Sequence, residues 1–153
     1  MAQGRALLAV WDRSFKAQYS ASEDATAEAA VQALKDFQVL LRATSNGSGL
    51  PASAHLAPLW GLVTRVLDLP LRDSAYLFLF SHARTVTSAG VRASVLGPYQ
   101  AQAVLASREL QEKIRGLVED MWDVKVEDAG QTVPVMDIWV GRHEKLYSRI
   151  FNS

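Results

Sequence analysis

The stretch that decides the fold is SAYLFLFSHARTVTSAGVRA, residues 74–93. Its first part, Tyr76 to Phe80, is a short apolar run that periodicity alone reads equally well as a buried strand or a buried helix. The residues after Phe80 separate the two. Ala83, Val86, Gly90 and Ala93 recur at three-to-four spacing, so the helical period continues for several turns past the apolar run. The segment is therefore a helix, apolar all round at first and so expected to lie centrally, then narrowing to a seam of small residues where another helix can approach closely. The run stops at Ser81, His82 and Arg84, well short of the ~20 apolar residues of a membrane span.

Working outward toward the N-terminus, Asp73 or Ser74 is placed to cap this helix and Pro70 to end the one before it. That preceding helix, near His55 to Leu67, has Pro58 in its first turn and an apolar face of Leu59, Trp60, Val63 and Leu67. Ala43 to Ala54 (ATSNGSGLPASA) has the chemistry of a flexible loop, 43–54. Before it, Thr26 can cap a helix whose stripe is Ala30, Val31, Leu34, Phe37 and Leu41, with Glu28, Gln32, Lys35 and Asp36 turned to water. An opening helix carries Leu7, Leu8, Trp11, Phe15 and Tyr19 on one side.

Toward the C-terminus, Gly97-Pro98 breaks the decisive helix and Pro98 starts a short one to Ala106. Ser107 caps another, whose stripe is Leu110, Ile114, Leu117, Val118 and Met121, with Trp122 beside it. Asp123 to Gly130 is a charged turn region. Pro134 opens the last segment, in which Val133 to Val140 (VPVMDIWV) reads as extended or helical. The expectation is an all-α fold, a single-domain helical bundle of about six to eight helices over 1–153.

The chain has 153 residues, with 16 basic and 16 acidic ones. That balance argues against a broad electrostatic footprint for nucleic acid or an anionic membrane. Cysteine is absent, which removes disulfides, a thiolate nucleophile and thiolate metal sites and fits the cytoplasm best. The first residues lack the basic-then-apolar order of a secretory signal. No Gly-x4-Gly-Lys-Ser/Thr loop and no Gly-x-Ser-x-Gly elbow occurs. His143-Glu144 begins like a zinc-protease His-Glu-x-x-His, but Tyr147 stands where the second histidine is needed, so metal hydrolysis by this pair fails for want of a ligand. His55 and His82 are isolated in sequence. The residues point to a binding protein and not to an enzyme.

The chain ends RHEKLYSRIFNS, Arg142 to Ser153. In a helix, His143, Leu146, Tyr147, Ile150 and Phe151 share one broad face, while Arg142, Lys145 and Arg149 cluster on another. One arrangement is a last helix docked on its own core. The other is a tail that enters a partner's groove, because aromatic and aliphatic anchors beside arginine are what buried interface centres favour.

HEKLYSRIFNS resembles the closing signature of the urease accessory protein UreF family, a His-Glu…Ser-Arg-Leu/Ile-Phe-x-Ser string. GRALLAVW (Gly4 to Trp11) is similar to the family's Gly-Arg-x-Leu-Leu helix, and HLAPLWG (His55 to Gly61) to its His-led helix start ending in glycine. SAGVRASVLGPYQAQ (Ser88 to Gln102) resembles its Val-Arg-x3-Leu-Gly segment with a glutamine beyond. Gly97-Pro98, where many bacterial members have Gly-Gln, looks like the eukaryotic, particularly fungal, branch. These blocks stand in family order across nearly the whole chain, with Gly4, Arg5, His55, Gly61, Arg92, Gly97 and Gln102 at family-motif positions.

The resemblance implies an all-α, non-enzymatic chaperone for nickel insertion into urease. It would bind the accessory protein UreD (also called UreH), recruit the GTPase UreG and act on apo-urease, as a homodimer within the complex. It implies no directly bound cofactor, nickel being carried by the GTPase. The segment 134–153 would be the partner-binding tail, with Tyr147, Ile150 and Phe151 as anchors, Arg149 as the charged contact, and His143 and Glu144 in the same string. Compared with the family, the chain is shortened at its N-terminus, lacking a Pro-x-Gly-Gly-Phe-like segment. The stripe Leu7, Leu8, Trp11 and Phe15 is accordingly expected to be incompletely covered. The alternative reading is a helical scaffold that kept this fold but lost GTPase docking.

Overall fold

Leu71–Arg92 is one uninterrupted α-helix, so Tyr76 to Phe80 is helical as the three-to-four seam requires. The computed structural model describes residues 2–19, 25–45, 47, 52–130, 133–143 and 145. Among these there is no strand, and the fold is all-α. In chain order the α-helices are α1 (Ala2–Val10), α2 (Lys16–Tyr19), α3 (Ala25–Ser45), α4 (Leu56–Val66), α5 (Leu71–Arg92), α6 (Pro98–Ala106), α7 (Arg108–Asp120) and α8 (Pro134–His143). A π-helical turn, Trp11–Phe15, joins α1 to α2, and a 3₁₀ turn covers Val126–Asp128 in the charged region after α7. The chain divides into two compact units, 1–78 and 79–153, and α5 runs through the boundary.

In the first unit, α4 packs on both α1 and α3. Its core is Leu8, Trp11, Ala30, Val31, Leu34, Ala54, Leu59, Val63 and Val66, all buried, with Leu34 fully enclosed. Removing each large side chain here from water contributes roughly 1.5–3 kcal/mol. The stripes of α3 and α4 lie where the spacing puts them, and Glu28, Gln32, Lys35 and Asp36 are exposed. Coverage of the first helix, expected to be incomplete, is complete at two of the four stripe positions and partial at the other two. Leu8 and Trp11 are 6% and 2% exposed, and Leu7 and Phe15 are partly buried against the same core. Trp11 stacks on Phe15 at 6.5 Å between ring centroids, and α3 and α4 close the rest of the stripe.

Several predicted boundaries move for identifiable reasons. α3 begins at Ala25, so Thr26 falls in its first turn, and it continues through Ser45, making 43–45 helical. The Thr44 hydroxyl donates to the Leu40 carbonyl and accepts from Ala52 N–H at 3.1 Å, tying the helix end to the chain returning toward α4. α4 ends before Pro70. Asp68 takes a left-handed φ of 56°, and the Leu69 and Asp68 amides bond back to Thr64 and Arg65. Aspartate tolerates this conformation better than most side chains.

The capping assignment at α5 also changes. Pro70 holds the position before the helix, its carbonyl accepting from Ser74 N–H at 2.9 Å. Ser74 is instead buried, its hydroxyl 2.7 Å from that of Thr64, while the Trp60 indole donates to the Ser74 carbonyl at 3.0 Å. Thr64 and Ser74 are thereby satisfied together at the α4–α5 corner, which is what burial of two hydroxyls requires.

The seam of α5 does not receive a helix among the described residues. Val86 is 58% exposed and Ala93 is exposed. Leu77 is also exposed, and Tyr76 to Phe80 are otherwise half-buried, so the helix is not the enclosed central element its apolar run suggests. Only Gly90 is used for close approach: a Cβ there would lie 3.2 Å from Leu96 Cδ1. Leu96 gets there through a left-handed residue, Ser94 (φ 59°), whose turn repeats the closure at Asp68.

In the second unit, Gly97 precedes α6, and its amide donates to Gln100 Oε1 at 3.0 Å. Ser107 caps α7, its hydroxyl accepting from Leu110 N–H at 3.3 Å. α6 packs on α7, burying Ala101, Ile114 and Val118. The ambiguous 133–140 run is helical from Pro134 onward.

Candidate protein-interaction site

α8 starts at Pro134, whose missing N–H costs nothing at a helix start. Apolar residues come next at three-to-four spacing in two overlapping sets, Val135, Ile138 and Trp139 with Met136 and Val140, so they spread over a broad arc instead of a narrow stripe. Val135, Met136, Ile138, Trp139 and Val140 are between 46% and 67% exposed. A helix with so broad an apolar arc is ordinarily enclosed on that side. This one presents its side chains to solvent on several sides, and an exposed tryptophan with neighbouring aliphatics is the composition of an interface centre. The family resemblance implies that 134–153 is the partner-binding tail but singles out no anchors in 134–142. The signal for them is present in VPVMDIWV, as an apolar arc broader than one stripe.

Beyond α8 the predicted tail residues are only partly in view. His143 closes α8, and Lys145 is exposed, its amide donating to the Arg142 carbonyl at 3.0 Å. Glu144, Tyr147, Arg149, Ile150 and Phe151 lie outside the described residues.

The family-motif positions are not gathered into one cluster; most stand where the backbone needs them. Gly4 is buried on α1, and a Cβ there would overlap the Ala54 carbonyl oxygen and lie 2.8 Å from its carbon. Glycine is what lets the chain entering α4 cross α1. Arg5 is exposed. His55 is the exposed, extended residue before α4, with no side-chain cap bond. Gly61 faces open space on α4. It borders a cavity of about 480 Å³ at the α4–α5 corner, together with Thr64, Arg65, Asp68 and Ser74. Arg92 is exposed at the end of α5, Gly97 precedes α6, and Gln102 is exposed on α6.

Among the described residues, no group of three histidine, aspartate or glutamate side chains could hold a metal ion, and no helix is long and apolar enough to cross a membrane. The arrangement offers contact surface.

Comparison with known proteins gives a consistent result. The family model for UreF matches residues 1–109. An "Uncharacterized urease accessory protein UreF-like" of Schizosaccharomyces pombe is 34% identical over 151 residues, 99% of this chain and 59% of that protein. "Urease accessory protein 6" of Cryptococcus neoformans var. grubii is 33% identical over 126 residues, 67% of this chain and 39% of that one. "Urease accessory protein F" of Oryza sativa subsp. indica is 31% identical over 121 residues, 79% of this chain and 44% of that one. The chain thus spans about half the length of the curated relatives it matches. No solved structure matches.

Proposed function

The chain belongs to the UreF family, whose relatives are named as accessory proteins and not as enzymes, and from that membership we propose that it acts in urease maturation by binding other proteins. In this reading it docks on UreD/UreH through α8 and the residues after it, and recruits the GTPase UreG toward apo-urease. The chain itself binds no nickel; the GTPase carries it. A second copy of the chain takes part in the assembly, and the site of action is the cytoplasm.

The observation that carries the reading is the exposure of Val135, Met136, Ile138, Trp139 and Val140. Covering such side chains contributes roughly 1.5–3 kcal/mol apiece, part of which offsets the ordering of the segment when it docks. Trp139 supplies the largest contact area. Tyr147, Ile150 and Phe151 extend the apolar anchors, and Arg149 adds a guanidinium able to hold a carboxylate in two hydrogen bonds.

The test is capture of separately purified UreD/UreH and UreG by the full chain. Arg149→Ala is expected to leave the helical circular-dichroism signal intact and to lower recovery of UreG by about ten-fold, the size of a modest interface hot spot. Unchanged recovery removes Arg149 from the site. Capture of UreD/UreH with no UreG from the unsubstituted chain instead supports the scaffold that has lost GTPase docking.

A further inference from the structure

The apolar stripe of α7 is only half covered. On one edge Ile114 and Val118 are buried where α6 packs, with Ala101 buried on the α6 side. On the other edge stand Leu117, Met121 and Val124, at intervals of four and three, and all three are exposed. The coiled path continues past the end of the helix. The Met121 amide donates to the Leu117 carbonyl at 3.1 Å, and the Val124 amide to the Met121 carbonyl at 3.3 Å. The three side chains therefore follow one ridge of about 10 Å.

Charge selects what can cover this ridge. From Glu119 to Asp128 the sequence has five acids and one base, although acids and bases balance over the whole chain. The last turn of α7 contains Glu119 and Asp120 and no basic residue. Two carboxylates thus stand at the negative end of the helix dipole, where cations are favoured. Asp120, Asp123, Glu127 and Asp128 are exposed and take no ion pair among the described residues. Apolar contact and a cation together satisfy such a surface.

We propose that the Leu117–Val124 ridge, with the acidic turn beside it, docks a basic amphipathic helix of a partner protein. Apolar side chains of that helix, three and four residues apart, lie against Leu117, Met121 and Val124 as ridges of packed helices do. Lysine or arginine on its flanks reaches Asp120, Asp123 and Glu127. A second copy docking by the same ridge is the poorer occupant, because it brings an identical acidic turn to the contact. Nucleic acid and an anionic bilayer are repelled by the same carboxylates. The ridge is separate in sequence from α8 and the residues after it, so its occupancy is tested independently of the function proposed above.

The test is a titration of the full, isotope-labelled chain, followed by amide chemical shifts. The probe is a helix-forming peptide with leucines three and four residues apart on one face and lysines on its flanks. Saturable shifts are expected at 117–128, weakening as salt is raised. Met121→Ala, the pair Asp120→Asn with Glu127→Gln, or the same peptide with glutamate for lysine is each expected to weaken binding by about five-fold or more. Asp36→Asn, on the exposed face of α3, is expected to leave it within about two-fold. Should Met121→Ala lose helical signal, Asp123→Lys, in the turn past α7, replaces it with the same weakening expected. The proposal is overturned by absent or non-saturating shifts at 117–128, by shifts confined to α8, or by equal binding of the glutamate peptide or to the substituted chains. It is overturned equally if these residues shift as the chain alone is concentrated, which assigns the ridge to a second copy.

Discussion

The two units of this chain put similar kinds of residue to different uses. In 1–78 the stripes of α1, α3 and α4 converge, and nine apolar residues, Trp11 and Leu34 among them, are buried in one core. In 79–153 the buried apolar residues among those described are Ala101, Ile114 and Val118, while Val95, Tyr99, Leu117, Met121, Val126 and the described apolar residues of α8 stand in solvent. Surface exposure of isolated hydrophobics is common, but a helix such as α8, exposed at every position whose burial is described, is not. The difference teaches that the first unit is organised to hold itself together, and the second to present surface.

That contrast predicts unequal sensitivity to truncation. Leu34→Ala, at a fully buried site, is expected to cost about 3–4 kcal/mol in denaturant unfolding. Leu117→Ala, at a residue 49% exposed, is expected to cost well under about 1 kcal/mol. Equal losses would erase the distinction between the units.

The glycines sharpen it with one substitution of opposite sign. Gly4→Ala pushes a methyl into the Ala54 backbone and is expected to destabilise by about 2 kcal/mol, visible as a lower melting temperature. Gly61→Ala meets nothing within 4 Å and is expected to stabilise by about 0.5–1 kcal/mol through helix propensity. Both are family-motif positions, and only one is held by packing.

In the second unit the large effects are expected in binding and not in stability. Trp139→Ala should change the unfolding free energy by less than about 0.5 kcal/mol yet weaken capture of UreD/UreH by about ten-fold or more. A stability loss as large as that of Leu34→Ala would mean that Trp139 is covered within the chain. A modest change is expected at the turn after α5, where Ser94→Gly relieves a left-handed serine and raises stability by about 1 kcal/mol.

Where the sequence is legible, the deciding physics is local. Continuation of the three-to-four interval beyond Phe80 makes α5 a helix. Pro98 starts α6, and the Ser107 hydroxyl caps α7 within three residues. Capping at α5 is misread from sequence because Ser74 faces Thr64, ten residues away, and no short window reveals such a partner. Gly4 is recognisable as a motif position, but its cause is a backbone fifty residues on. For the candidate site, the C-terminal location and the anchor chemistry can be read from residue types. The exposure of Trp139 cannot, since VPVMDIWV would be equally apolar inside a core.

By itself, the sequence determined the helical class, the starts of α4, α6, α7 and α8, the absence of cysteine chemistry and, through its motif blocks, the family. Those depend on dihedral preference, hydrogen bonds a few residues long and residue identity. Only the tertiary structure decided that Trp11 joins a core shared with α3 and α4, that Val86 and Ala93 of the α5 seam stay exposed among the described residues, and that α8 keeps its apolar side chains in water. Burial is a relation between distant segments, and a side chain's affinity for the interior does not specify which segment, or which other protein, will cover it.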